Sequence, residues 1–198
     1  MTSPRVKIAF IGSHGVGKTT LCYGLAARLK IRDVPVEVVH EVARRCPLPI
    51  NEETSVAAQS WILHTQIAEE LVASHRYPVV VCDRSALDNF VYLLLAAGPH
   101  EPLEHLVEAW LPTYDLLVYV PIHDGLRSDG IRSPDPRFQE AVDQRLRREI
   151  ERRGLSVLFL EPSTLPTWVD QVERAVRSRL KPAQLELLAA DSDMLPGP

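Results

Sequence analysis

Five short, largely apolar runs recur along the chain at 6–11, 36–40, 78–82, 116–120 and 155–160. Val79-Val80-Val81-Cys82 is continuous rather than alternating, the pattern of a strand covered on both faces of a parallel sheet. The stretches between the runs carry helical spacing. One helix is predicted over 19–30. A second is capped at Asn51, with Glu52 and Glu53 in its first turn, and reaches about His75, with Ala57, Trp61, His64, Ala68 and Leu71 on one face. Further helices are predicted over 85–97, stopped by Gly98-Pro99, over 102–111, stopped by Pro112, and over 168–180, and a charged helix ends near Gly154. Strands separated by helices favour right-handed parallel crossovers, so the pattern predicts an α/β fold of three layers, with a five-stranded parallel sheet and helices on both faces.

A chain of 198 residues with 45% apolar and 24% charged residues has room for one such domain with a full core. The expected division is a single domain over 1–180, with a lid at about 122–137 dense in Gly, Pro, Asp and Arg, and a C-terminal tail over 181–198. The net charge of −4 offers no broad basic field, which disfavours nucleic acid as a partner. Cys22, Cys46 and Cys82 are too few and too scattered for a disulfide framework or a zinc site. No apolar run is long enough to cross a bilayer, and a cytoplasmic location is expected.

Ligands of parallel sheets bind beyond the carboxyl ends of the strands. Four segments meet that rim, beginning at Gly12, Glu41, Asp83 and Ile122. The first, Gly12-Ser13-His14-Gly15-Val16-Gly17-Lys18-Thr19, fits G-x-x-x-x-G-K-[ST] between a strand and a helix. In such a loop the backbone N–H groups surround a phosphate, the lysine (Lys18) reaches the β- and γ-phosphates, and the hydroxyl of Thr19 ligates Mg²⁺. ATP and Mg²⁺ are the expected cofactors. Asp83 ends the third strand and is expected to hold Mg²⁺ directly or through water. Glu41 ends the second and is placed to take a proton from, or bond to, an acceptor hydroxyl. Arg44 and Arg84 flank these carboxylates, where they suit substrate or phosphate contact. Arg127, Arg132 and Arg137 run through the lid, and one or two of them are expected on the transferring phosphoryl. Arg145, Arg147, Arg148, Arg152 and Arg153, with Glu149 and Glu151, read instead as a solvated helix face.

These segments, with Thr20 closing the first, His40-Glu41-Val42-Ala43-Arg44 and Asp83-Arg84-Ser85, give the chain a resemblance to the P-loop small-molecule kinases. It is similar in particular to the ribosylnicotinamide-kinase-like group and its relatives, the deoxynucleoside and thymidylate kinases. The resemblance implies ATP across residues 12–20, with His14 and Val16 among those lining it, and a small-molecule acceptor between Glu41 and Asp83-Arg84. It also implies a lid over 124–137, and Asp88 and Tyr92 on the substrate-side helix. The implied activity is transfer of the γ-phosphoryl group to a nucleoside, nucleotide or related metabolite. A nucleotide-dependent switch is the alternative, although Asn-Lys-x-Asp, which reads guanine, is absent. A polynucleotide kinase would need a basic groove that the net charge does not advertise and is the less favoured reading, and a homodimer stays open.

Overall fold

The computed structural model describes residues 5–123 and 135–180. Its first strand, β1 (Val6–Ile11), is buried along its whole length, and alternate residues serve two different cores. Val6, Ile8 and Phe10 pack into one apolar cluster, while Ala9 and Ile11 pack into the other. A strand whose two faces are both covered keeps few polar residues, and Lys7 is the single charged member of this one.

The other strands are β2 (Val36–Val39), β3 (Val79–Asp83), β4 (Leu116–Tyr119) and β5 (Val157–Phe159). They pair in the order β2-β3-β1-β4-β5, and every pairing is parallel. One layer of helices is α1 (Lys18–Ile31) with α6 (Trp168–Leu180), which place Leu25, Leu29, Val172 and Val176 against the even-numbered face of β1. The opposite layer holds α2 (Val56–Arg76), α3 (Ala86–Ala97), α4 (Glu101–Trp110) and α5 (Pro136–Arg152). This is the three-layer α/β fold that the alternation of apolar runs and helical spacing predicts.

Two expectations are corrected. Residues Asn51–Glu53 form a short 3₁₀ turn, and α2 starts later, capped by Ser55, whose hydroxyl accepts from Ala58 N at 3.2 Å. Its buried face is Ala58, Gln59, Ile62, Leu63, Gln66, Glu70 and Ala73, so Ala57, His64, Ala68 and Leu71 point outward and Trp61 is half-buried. The inward face carries three polar residues, of which Gln66 and Glu70 take partners from distant segments, so apolar spacing alone favours the outer stripe. The charged run on α5 is likewise more than a solvated face. Glu149 is buried and pairs with Arg145, Arg152 and Arg153, and Arg153 lies over the Phe90 ring at 5.6 Å while reaching Glu104 and Glu108. These pairs fasten α4 to α5. The 122–137 lid falls mostly, and the 181–198 tail entirely, outside the described residues.

Candidate active site

The loop between β1 and α1 is shaped by close backbone approach. Gly12 has φ 147°, and a Cβ there would sit 2.5 Å from the carbonyl oxygen of Val120. Gly17, at φ 89°, turns the chain into the first residue of α1. Val16 is buried in the α1–α6 core and pins the middle of the loop. Ser13 Oγ donates to Gln139 O (2.8 Å), and Gln139 Nε2 donates to His14 O (2.7 Å), so the first turn of α5 holds the loop from the other side. Lys18 Nζ curls over the loop and donates to the carbonyls of Gly12 (2.8 Å) and Ser13 (2.5 Å). Burial pushes its pKa from 10.5 down to about 8, with Arg84 adding repulsion and Asp88, Asp83 and Glu41 opposing.

Sheet order puts the ends of β3 and β1 side by side, with Asp83 paired to Phe10. Asp83 Oδ2 accepts from Thr19 Oγ1 at 2.5 Å, so the hydroxyl and carboxylate converge at the mouth of the loop. This hard-oxygen pair, next to a glycine cradle that a Cβ would fill, fits a nucleotide with Mg²⁺. Thr20 is exposed on the outer side of α1.

Glu41 and Arg84 meet beside this point. Arg84 Nε donates to Glu41 Oε1 at 2.6 Å, both side chains being nearly buried, and Arg44 Nε donates to Glu41 Oε2 at 2.8 Å. The Glu41 charge keeps the Arg84 guanidinium protonated against its burial. Arg84 also lies over the Tyr92 ring at 5.0 Å, and the Tyr92 hydroxyl sits 3.1 Å from His14 Nδ1. A polar chain thus runs from the loop through His14, Tyr92 and Arg84 to Glu41.

These residues line a narrow cavity of ≈ 30 Å³ together with Gln59, Asn89 and Ile62. Arg84 Nη1 and Gln59 Oε1, both buried in its lining, have no hydrogen-bond partner. One offers a donor and the other an acceptor, and leaving each unmatched costs roughly 1–3 kcal/mol. A larger groove of ≈ 1000 Å³ runs along β2 and α2 and reaches Glu41 and Arg44 from outside. A third, of ≈ 770 Å³, lies at the opposite rim of the sheet near Asp115 and Ser156, far from the phosphate loop.

The predicted positions divide accordingly. Gly12, His14, Gly15, Val16, Gly17, Lys18, Thr19, Asp83, Arg84, Glu41, Arg44 and Tyr92 come together on one rim. Asp88 does not line the cavity. Its Oδ1 accepts from Gly12 N (3.0 Å) and its Oδ2 from Ser85 N and Oγ (both 2.8 Å), so it ties the phosphate loop to the start of α3. Arg127 and Arg132 lie outside the described residues, and Arg137 is exposed at the start of α5. Gln59 and Gln139 were missed because an isolated glutamine carries no spacing signal; their roles exist only once α2 and α5 are packed.

No curated protein matches the sequence closely enough to count as a relative. Among solved structures, a deoxyadenosine kinase from M. mycoides with bound dATP superposes with a TM-score of 0.60. The identity is 14%, and the alignment covers 87% of this chain and 100% of that one, a likeness that concerns the fold. A family model described as an AAA domain matches residues 7–167. That match runs from β1 to the turn before α6, and the chain therefore belongs to the AAA-domain family.

Proposed function

We propose that this protein transfers the γ-phosphoryl group of ATP to a hydroxyl of a small, nucleoside-like metabolite. The observation that carries the reading is the buried Glu41–Arg84 pair, set beside the phosphate loop and opening onto a cavity with an unmatched donor and an unmatched acceptor. A surface ion pair needs neither the burial nor the waiting polar atoms. The fold likeness to a deoxyadenosine kinase supports a nucleoside-like acceptor over an unrelated one.

In this reading residues 12–19 wrap the triphosphate, and Lys18 moves from its own loop carbonyls to the β- and γ-phosphates. Thr19 and Asp83 hold Mg²⁺, which neutralises phosphate charge when bound. Glu41 accepts the acceptor's hydroxyl proton while the new oxygen–phosphorus bond forms and the β–γ bridge breaks, leaving ADP. Arg84, and Arg127 or Arg132 from the lid segment, meet the charge that spreads over the transferring oxygens. A cavity of ≈ 30 Å³ is far below the roughly 300–1,000 Å³ of most small-molecule sites, so acceptor binding must widen it, with room available on the Arg44 side.

The test is ATP consumption with Mg²⁺ against a panel of nucleosides, nucleoside monophosphates, nicotinamide riboside and short oligonucleotides. Stimulation by one small acceptor, abolished in Lys18→Ala, is the expected result. Equal ADP formation with and without every acceptor would replace the kinase with a nucleotide-hydrolysing switch.

A further inference from the structure

Arg84 is the one residue among those described that is buried, has a positive φ (90°) and is not glycine. A side chain in that conformation costs on the order of 1–3 kcal/mol and persists only where its surroundings over-determine it. The surroundings here converge on a carboxylate that takes no part in the proposed chemistry, Glu70 on α2, whose side chain is fully buried.

Glu70 is held by four donors. Oε2 accepts from Lys7 Nζ (2.9 Å) and Trp110 Nε1 (2.7 Å), and Oε1 accepts from Gln66 Nε2 (2.9 Å) and the Tyr114 hydroxyl (2.8 Å). The last two donors are arms that reach the strained turn from either side. Gln66 Nε2 also donates to the carbonyl oxygen of Arg84 (3.0 Å), and the Tyr114 oxygen accepts the backbone N–H of Ala86 (3.0 Å). Burial and the Glu70 charge push the Tyr114 pKa well above 10, so the phenol keeps the proton it donates to Glu70. With its amide oxygen accepting from Asn89 Nδ2 (2.5 Å), Gln66 has no freedom to turn.

We infer that Glu70, acting through Gln66 and Tyr114, is a positioning centre for Arg84, fixing the backbone that follows it so that its guanidinium faces Glu41 and the acceptor cavity. The relevance of this to turnover rests on the phosphotransfer proposed above; the positioning itself does not. An ion pair wanted only for stability would do as well with apolar residues in its place, since burying two charges costs about as much as their attraction returns. A hub that commits two of its four bonds to a strained turn at the site has a geometric task. Removing either arm releases one side of the turn and lets the Arg84–Glu41 pair open.

The experiment follows hydrogen exchange at the Arg84 Nε–H by NMR, the resonance being identified by its loss in Arg84→Lys. Gln66→Leu and Tyr114→Phe are compared with the parent and with Leu146→Ala, a core truncation on α5 outside the network. Each arm variant should speed Arg84 exchange by about ten-fold or more, the effect of losing one buried hydrogen bond on a local opening, while Leu146→Ala lowers Tm and leaves that exchange near the parent's. Should Gln66→Leu not fold, Tyr114→Phe, which deletes one oxygen atom, decides alone. Unchanged Arg84 exchange in the arm variants, or an equal change in Leu146→Ala, would overturn the inference. No substrate enters this measurement, so its outcome stands whether or not an acceptor is found. Where transfer is observed, the same variants should lower kcat and leave the KM for ATP unchanged.

Discussion

Lys18 makes the nucleotide site sensitive to pH in a direction that can be worked out. In the ligand-free fold its pKa is about 8, chiefly because it is buried. A triphosphate brings negative charge to within bonding distance and returns the ammonium to its ordinary range near 10.5 or above. Binding therefore takes up a proton at any pH between these values. The affinity is level below pH 8 and falls as pH rises through 8 toward 10.5. Between pH 7 and pH 9.5 the linkage amounts to about 30-fold in Kd, or about 2 kcal/mol, for a free-state pKa of 8. Cys22 and Tyr92, two nearby groups that could confuse the reading, are both pushed upward by burial. The stability of the ligand-free protein carries the mirror image. An unfolded Lys18 keeps its proton to 10.5 and the folded one to about 8, so this group destabilises the fold below pH 8 and ceases to do so as pH rises to 10.5. The assay is calorimetric titration of ATP with Mg²⁺ at pH 7, 8 and 9.5, in two buffers of different ionisation enthalpy, for the parent and Lys18→Met. The parent should weaken by about 30-fold across the series, with proton uptake near pH 8, and the variant should bind weakly and without pH dependence. A parent Kd that stays level from pH 7 to 9.5 would refute the argument.

Glu41→Gln keeps the size of the side chain and removes the proposed proton acceptor; transfer should fall by about 10²–10⁴-fold with ATP affinity within a few-fold of the parent, as separate kinetic and binding measurements would show. A loss confined to ATP affinity would contradict the role given to Glu41. Gly12→Ala places a methyl group 2.5 Å from the Val120 carbonyl oxygen, so ATP binding should be lost and Tm lowered, read by calorimetry and thermal melts. Asp88→Ala frees the Gly12 N–H and removes the carboxylate half of the capping box of α3. It should cost about 1–2 kcal/mol in a urea melt and also weaken ATP binding, whereas a cap with no link to the loop would change only the melt.

Much of this arrangement is legible in the amino-acid sequence because its signals are local. The 12–19 loop announces itself by glycines and a lysine at fixed intervals, and β1 and β3 by runs of apolar residues that two covered faces require. Asp83 and Glu41 could be placed on the rim because each follows directly on one of the apolar runs. What could not be read depends on partners far along the chain. Glu70 looks like an exposed helix charge until Lys7, 63 residues earlier, is brought under it, and the polar face of α2 then becomes the buried one. The same holds for Asp88, which reaches back 76 residues to Gly12 instead of lining the cavity, and for Arg153, which finds Glu104 and Glu108 on a neighbouring helix. Periodicity reports which side of a helix is apolar; it does not report which polar groups will find a buried partner.

The most direct test of the central claim is to follow the labelled γ-phosphoryl group of ATP in a single reaction containing Mg²⁺, the nucleoside panel, and either the parent or Glu41→Gln. Label appearing in an organic phosphate made by the parent, and reduced by at least about 100-fold in the variant, is the predicted result. Label released only as inorganic phosphate, at the same rate in both proteins, would contradict it.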